Sequence, residues 1–265
     1  MLGAYLSDSL SLWGFYAGAV VITLILIEGG YRLGRYRLLH LSGEKEAPVG
    51  AIIGATLGLL GLILAFTFDL AATRFNARRE MVVQEANAIG TAWLRAGLLP
   101  DSHRTSLRQL LKDYVDARLE VIQTRDIEKL LRTSDSVHRQ LWTEMETVGT
   151  NQPTSITVGL NIEAINSVID IHSERVLVGL QNSLPMPLWT TLYLITGMTM
   201  AGVGYHEGLT RSRRSPAILV LVVSFCAILS LAADLDRPQE GFLRVSQQAL
   251  EDLKATLEAS SDPTP

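Results

Sequence analysis

The chain holds a single cysteine, Cys226, among 265 residues. A disulfide within the chain is therefore impossible, and a thiolate metal cage is excluded. Cys226 lies inside an apolar run and reads as a small buried apolar residue. The first residues lack a basic region, and no small-residue cleavage site follows the first apolar run. That run is expected to stay as a membrane span rather than leave as a signal peptide. Two-residue alternation is not sustained anywhere, so almost no strand is expected. No internal repeat is visible. Residues 70–188 carry 13 basic and 14 acidic side chains, and residues 234–265 carry 3 and 7. With a net charge of -4 and no basic cluster, nucleic acid is not an expected partner.

The signatures of catalysis are missing too. There is no Gly-rich phosphate loop, no Gly-x-Ser-x-Gly and no Cys-His pair. The histidines are His40, His103, His138, His172 and His206, and no two stand at metal-ligand spacing. Asp170, His172 and Glu174 are close in sequence, but on a helix His172 points away from the other two. The chain is thus expected not to be an enzyme. No catalytic, cofactor-binding or metal residues are assigned, and no cofactor is expected.

What the chain has is apolar length. Residues are 48% hydrophobic, gathered at 10–30, 48–68, 188–205 and 216–233. Each run is near the roughly 20 residues that a helix needs to cross a bilayer core. Backbone polarity in lipid leaves helices or closed barrels, and runs without alternation favour helices. The expected fold is all-α: a polytopic membrane protein with four transmembrane helices and an extramembrane helical bundle between spans two and three. The corresponding segments are 1–69 (first two spans), 70–187 (bundle), 188–233 (last two spans) and 234–265. The last comprises a charged break, an amphipathic helix over 242–258 and a disordered end.

No proline stands between Pro48 and Pro100, so the second span is expected to run on as one helix to about Leu99. Beyond the apolar part, Phe68, Phe75, Val82, Ile89 and Ala96 recur every seven residues, a seam that wants a partner helix. Further amphipathic helices are expected from Asp101 or Ser102, over 135–148, and from Val158 to Leu180, with a loop at 149–155. Glu28 and Arg32 are spaced for an i,i+4 ion pair. Gly50, Gly54, Gly58 and Gly61 share one face of the second span. That face suits close helix packing, or a pore lining where small residues leave room. Leu62, Ile63, Phe66 and Leu70 could constrict a pore by dewetting.

By parity, the ends of the second and fourth spans share one side of the membrane. Asp69, Arg74, Arg78 and Arg79 leave one span there, and Asp234, Asp236 and Arg237 leave the other. Opposite charges at that depth are expected to pair, Arg78 or Arg79 with Asp234 or Asp236. The short loops on the other side carry seven basic residues, Arg32, Arg35, Arg37, Lys45, Arg211, Arg213 and Arg214. Five (Arg74, Arg78, Arg79, Arg237 and Arg244) lie opposite, so the short loops are expected in the cytoplasm.

The run Phe66-Thr67-Phe68 to Arg78-Arg79, then Glu85-Ala86-Asn87-Ala88-Ile89-Gly90-Thr91-Ala92-Trp93-Leu94-Arg95, and finally Asp234-Leu235-Asp236-Arg237-Pro238 with Gly241, resembles the bacterial bestrophin-like membrane proteins. The Glu85 to Gly90 motif carries most of that resemblance. It implies bestrophins, pentameric anion channels with four spans per subunit whose second span lines the pore with an apolar neck. It also implies cytoplasmic termini and a cytoplasmic bundle, opposite to the charge count. The acidic calcium clasp of animal bestrophins has no counterpart in the tail. Two functions stand open: a homo-oligomeric ion channel in the bacterial inner membrane, or a non-conducting interaction or sensing protein whose bundle binds a protein partner. Membrane lipid is a partner in both.

Overall fold

The computed structural model describes residues 12–40, 46–124, 126–181, 184–210, 216–237 and 242–260. Every regular element among them is helical: α1 (Leu12–His40), α2 (Glu46–Ala96), α3 (Asp101–Thr124), α4 (Ile127–Asn151), α5 (Ile156–Val176), α6 (Met186–Leu209), α7 (Ala217–Asp236) and α8 (Gln248–Ala259). A single π-helical turn, Leu177–Gln181, follows α5. Helix α2 has 51 residues without a break, as the absence of proline predicts. The chain divides into two compact units, 1–75 with 182–244, and 76–181 with 245–265. Lys45, Arg211, Arg213, Arg214, Pro238, Gly241 and the end of the chain lie outside the described residues.

The first unit holds α1, the apolar part of α2, α6 and α7. Its core includes Leu60, Leu64, Leu192, Met200, Val222 and Leu229. Among the described residues three helices are long and apolar enough to cross a membrane, α1, α2 and α7, rather than the four expected. The third expected span is present as α6, with 24 residues, but its aliphatic content is diluted by threonine, glycine and tyrosine. The dilution has a packing cause. A Cβ on Gly30 would collide with the Ala201 carbonyl, one on Gly34 with that of Tyr205, one on Gly204 with that of Ile27, and one on Gly208 with that of Tyr31. Gly30-x-x-x-Gly34 on α1 and Gly204-x-x-x-Gly208 on α6 therefore let two backbones touch, the close approach that associates helices in lipid. Glu28 accepts from Arg32 Nε at 2.8 Å, the expected i,i+4 pair.

The second unit holds the polar continuation of α2 with α3, α4, α5 and α8. The heptad seam of α2 (Val82, Ile89 and Ala96) is buried there with Leu107, Leu111, Leu141, Met145, Ile165 and Val168. Burying each such aliphatic side chain contributes about 1.5–3 kcal/mol. Asp126 caps α4 by accepting from the Lys129 amide at 2.8 Å, so α4 begins well before the expected residue 135. Ser155 caps α5 by accepting from Val158 N at 3.4 Å. Helix α8 starts at Gln248 rather than 242. It packs Leu250 and Leu257 into this core, and Lys254 pairs with Asp116 of α3 at 2.6 Å. The C-terminal helix is thus part of the bundle unit, not a separate tail.

Candidate functional site: a stripe on the second span and a buried polar cluster

Residues four apart on a helix lie one above the other on a slowly turning face. Gly54, Gly58, Leu62, Phe66 and Leu70 form such a row on α2, which turns by about 40° at each step and so winds partly around the helix. A methyl added to Gly54, Gly58 or Gly61 would meet nothing within 4 Å among the described residues. Leu62 is 53% exposed and Phe66 66%, with Leu70 also exposed. The row is therefore uncovered within one chain, narrow in side chain at its glycine end and bulky at its Leu-Phe-Leu end. Three members of the expected sets lie off this row, and of these Gly61 is half-buried. Ile63 is half-buried against the core of its unit. Gly50 lies under His206, whose Nε2 would stand 2.8 Å from an added Cβ.

The charge cluster is arranged by hydrogen bonds that sequence reading missed. Asp234 is buried and accepts from the backbone amides of Phe242 at 3.1 Å and Leu243 at 3.0 Å. Asp236 is buried and accepts from the Leu184 amide at 2.9 Å and from Trp189 Nε1 at 3.4 Å. Asp234 thus organises the chain just past its own helix, and Asp236 ties the end of α7 to the start of α6. Arg237 is buried with its guanidinium 5.9 Å from the Phe15 ring centre. Asp69 and Arg79 are exposed, Arg74 is half-buried, and Arg78 is buried.

In the second unit the Glu85 motif splits by face. Glu85, Ala86 and Ile89 point inward, Ala88 and Gly90 are half-buried, and Asn87 is exposed. Glu85 is 0% exposed and sits among cations: Arg118 Nη2 is 2.7 Å from Oε1, and Arg175 Nη1 bonds Oε2. Arg175 Nη2 also donates to Gln247 Oε1 at 2.7 Å. Tyr114, fully buried, donates its hydroxyl proton to Glu85 Oε1 at 2.6 Å. Its oxygen lies 2.9 Å from His172 Nδ1, and the Tyr114 proton is already committed to the carboxylate. His172 Nδ1 must then be the protonated nitrogen and the donor. Burial would push the Glu85 carboxyl up, but the charges of Arg118 and Arg175 and the Tyr114 hydroxyl hold it below the ordinary range. Burial first, then Glu85, raises the Tyr114 phenol well above its usual value. Burial, with Arg118 next in weight, brings His172 down to about 4, so its ring is neutral near pH 7.

His138 of α4 stacks edge-on to His172 of α5, ring centroids 4.7 Å apart. The sequence shows no histidine pair at ligand spacing because these two meet across helices. The available signal was positional. Asp135 and His138 are three apart on α4, and His172 continues the buried row of Ile165 and Val168 on α5. Asp170 and Glu174 are exposed while His172 is buried, as helical geometry predicts.

The model of the bestrophin-like domain matches residues 20–250 of this chain. No curated protein matches it. A bacterial bestrophin homolog from Klebsiella pneumoniae, solved by zinc phasing, is similar in fold. It has 16% identity and a TM-score of 0.67, covering 95% of this chain and 98% of that one. A variant of the same homolog with one isoleucine changed to threonine gives 15% identity and a TM-score of 0.65, over 93% and 99% of the two chains. Another, with one leucine changed to threonine, gives 15% and 0.68, over 95% and 99%. All-helical architecture, membrane-length apolar helices and a match across most of the length converge: this chain is a multi-pass membrane protein that belongs to the bestrophin-like family.

Proposed function

We propose that this protein is a homo-oligomeric ion channel of the bacterial inner membrane, with the α2 stripe as its conduction path. The observation that carries the reading is the uncovered row Gly54, Gly58, Leu62, Phe66 and Leu70. Its open glycines and its exposed Leu62 and Phe66 leave room for neighbouring copies of the helix to pack and to line a path between them. A ring of such helices would be wide at the glycines and constricted at Leu62 and Phe66, where an apolar neck gates by dewetting. The family resemblance to bestrophins supplies the analogy, and with it the expectation that the ions are anions. Helix α6 then also spans the bilayer, as the third of four, tolerated in lipid because its glycine face is covered by α1. On the charge count the short loops face the cytoplasm, which reporter fusions at residue 265 would test.

Native mass spectrometry of the detergent-solubilised protein, followed by planar-bilayer recording, tests the reading. A closed ring of identical chains with anion currents supports it. A verified oligomer that passes no current in either direction overturns it and favours the interaction or sensing reading, with the helical bundle as the working part.

A further inference from the structure

We infer that Asp135, His138 and His172 form a binding site for one divalent transition-metal ion of the zinc class. The three offer one ligand atom each, an imidazole nitrogen from each histidine and a carboxylate oxygen from Asp135, and these atoms lie within 4.8 Å of one another. A tetrahedral zinc with ligands at about 2.1 Å holds its donor atoms about 3.4 Å apart, so only a modest closure is needed. Asp135 is exposed, so its carboxylate can move toward the two imidazoles. The histidines are fixed, at 8% and 5% exposure.

Two observations separate this cluster from an ordinary buried histidine pair. The buried Nε2 of His138 makes no hydrogen bond among the described residues. A buried polar atom left in that condition ordinarily costs free energy and needs a reason. His172, in contrast, has its outer nitrogen organised: Nδ1–H donates to Tyr114, which donates to Glu85. That chain fixes the tautomer with the lone pair on Nε2. Outer-sphere support of this kind, from a ligating histidine to a carboxylate, is what metal sites require. Glu85 offsets one of Arg118 and Arg175, and the Asp135 carboxylate, itself a ligand, offsets the other. Two nitrogens and one oxygen suit zinc, cobalt or nickel and are a poor set for calcium or magnesium, which prefer oxygen. Three protein ligands leave a coordination position for water. The ion would tie α4 to α5 beside the family motif.

The test uses the full-length protein in detergent, stripped with chelator and titrated with Co²⁺ as a spectroscopic probe, then with Zn²⁺ in competition. One equivalent of cobalt per chain, with visible ligand-field bands that zinc displaces, is expected. His138→Gln and His172→Gln should each weaken binding by at least about 100-fold. Tyr114→Phe keeps all three ligands and should weaken it about 10-fold, which a bystander tyrosine would not do. His103→Gln, at the separate His103–Glu144 pair, should leave binding unchanged. No saturable cobalt binding, or binding indifferent to His138→Gln and His172→Gln, overturns the site. Should those variants fail to fold, X-ray absorption of zinc-loaded wild type decides: two imidazoles in the coordination sphere support it, and fewer than two contradict it.

Discussion

At the residue scale, the most consequential side chain is Glu85. It has two guanidinium partners and a phenol, all brought from other helices of its unit. Removing its charge strands buried arginines, which costs about 3–5 kcal/mol. Glu85→Gln should therefore lower thermal stability strongly, read by melting in detergent at pH 7. The folded carboxyl titrates below the unfolded one. Its stabilisation is then present above about pH 4.3 and disappears as pH falls through the lower folded value. The variant should lack that acid-side loss. Asp234 makes a different case, since two backbone amides donate to its oxygens. Asp234→Ala should cost about 1–3 kcal/mol by removing two hydrogen bonds to a buried carboxylate. A charge-swap cycle with Arg78→Asp and Asp234→Arg separates the uses of this carboxylate. Recovery in the double variant identifies an ionic latch at the membrane border, and strict additivity identifies amide binding as its role.

At the element scale, the α1–α6 contact rests on four glycines. Any side chain at Gly30 or Gly204 meets a backbone carbonyl, which cannot swing away. Gly30→Leu and Gly204→Leu should each destabilise by at least about 1–3 kcal/mol, seen as loss of monodisperse protein in size exclusion. Gly90 is the opposite kind. A methyl there would meet only Leu253 Cδ1 at 3.5 Å, an ordinary contact. Gly90→Ala should raise the melting midpoint, by about 0.5–1 kcal/mol of stability, by removing backbone freedom from the unfolded chain.

These two glycine classes also mark where sequence reading stops. Periodicity on α2 places Gly54 and Gly58 on one face, but period alone does not say whether that face is covered. The glycines that hold two helices together, Gly30, Gly34, Gly204 and Gly208, show their meaning only when α1 and α6 are seen side by side. Continuity of α2 was legible because proline is absent over its length. The start of α8 was not, because residues 242–247 keep an apolar, polar mixture that would suit either state. His138 and His172 were read singly, since a cross-helix pair leaves no spacing in sequence.

At the scale of the whole molecule, exposed apolar side chains on α1, α2 and α7, such as Ile25, Ile52, Phe66 and Val220, require a non-aqueous surround. Lipid satisfies most of them, and neighbouring copies of the chain would take the rest. The channel reading makes a demand that lipid exposure does not: residues along one row of α2 must meet water and ions in the assembled protein, while those on α7 must not. Cysteine substitution measures that difference. With Cys226→Ser as background, cysteine would be placed singly at Gly58, Leu62, Phe66 and, on α7, Leu219, and each variant recorded in planar bilayers. A negatively charged thiol reagent should then block current at 58, 62 and 66 and leave the Leu219→Cys channel unaffected. Absence of current from the oligomer, or modification at Leu219 that blocks as well as modification at Phe66, would contradict the account.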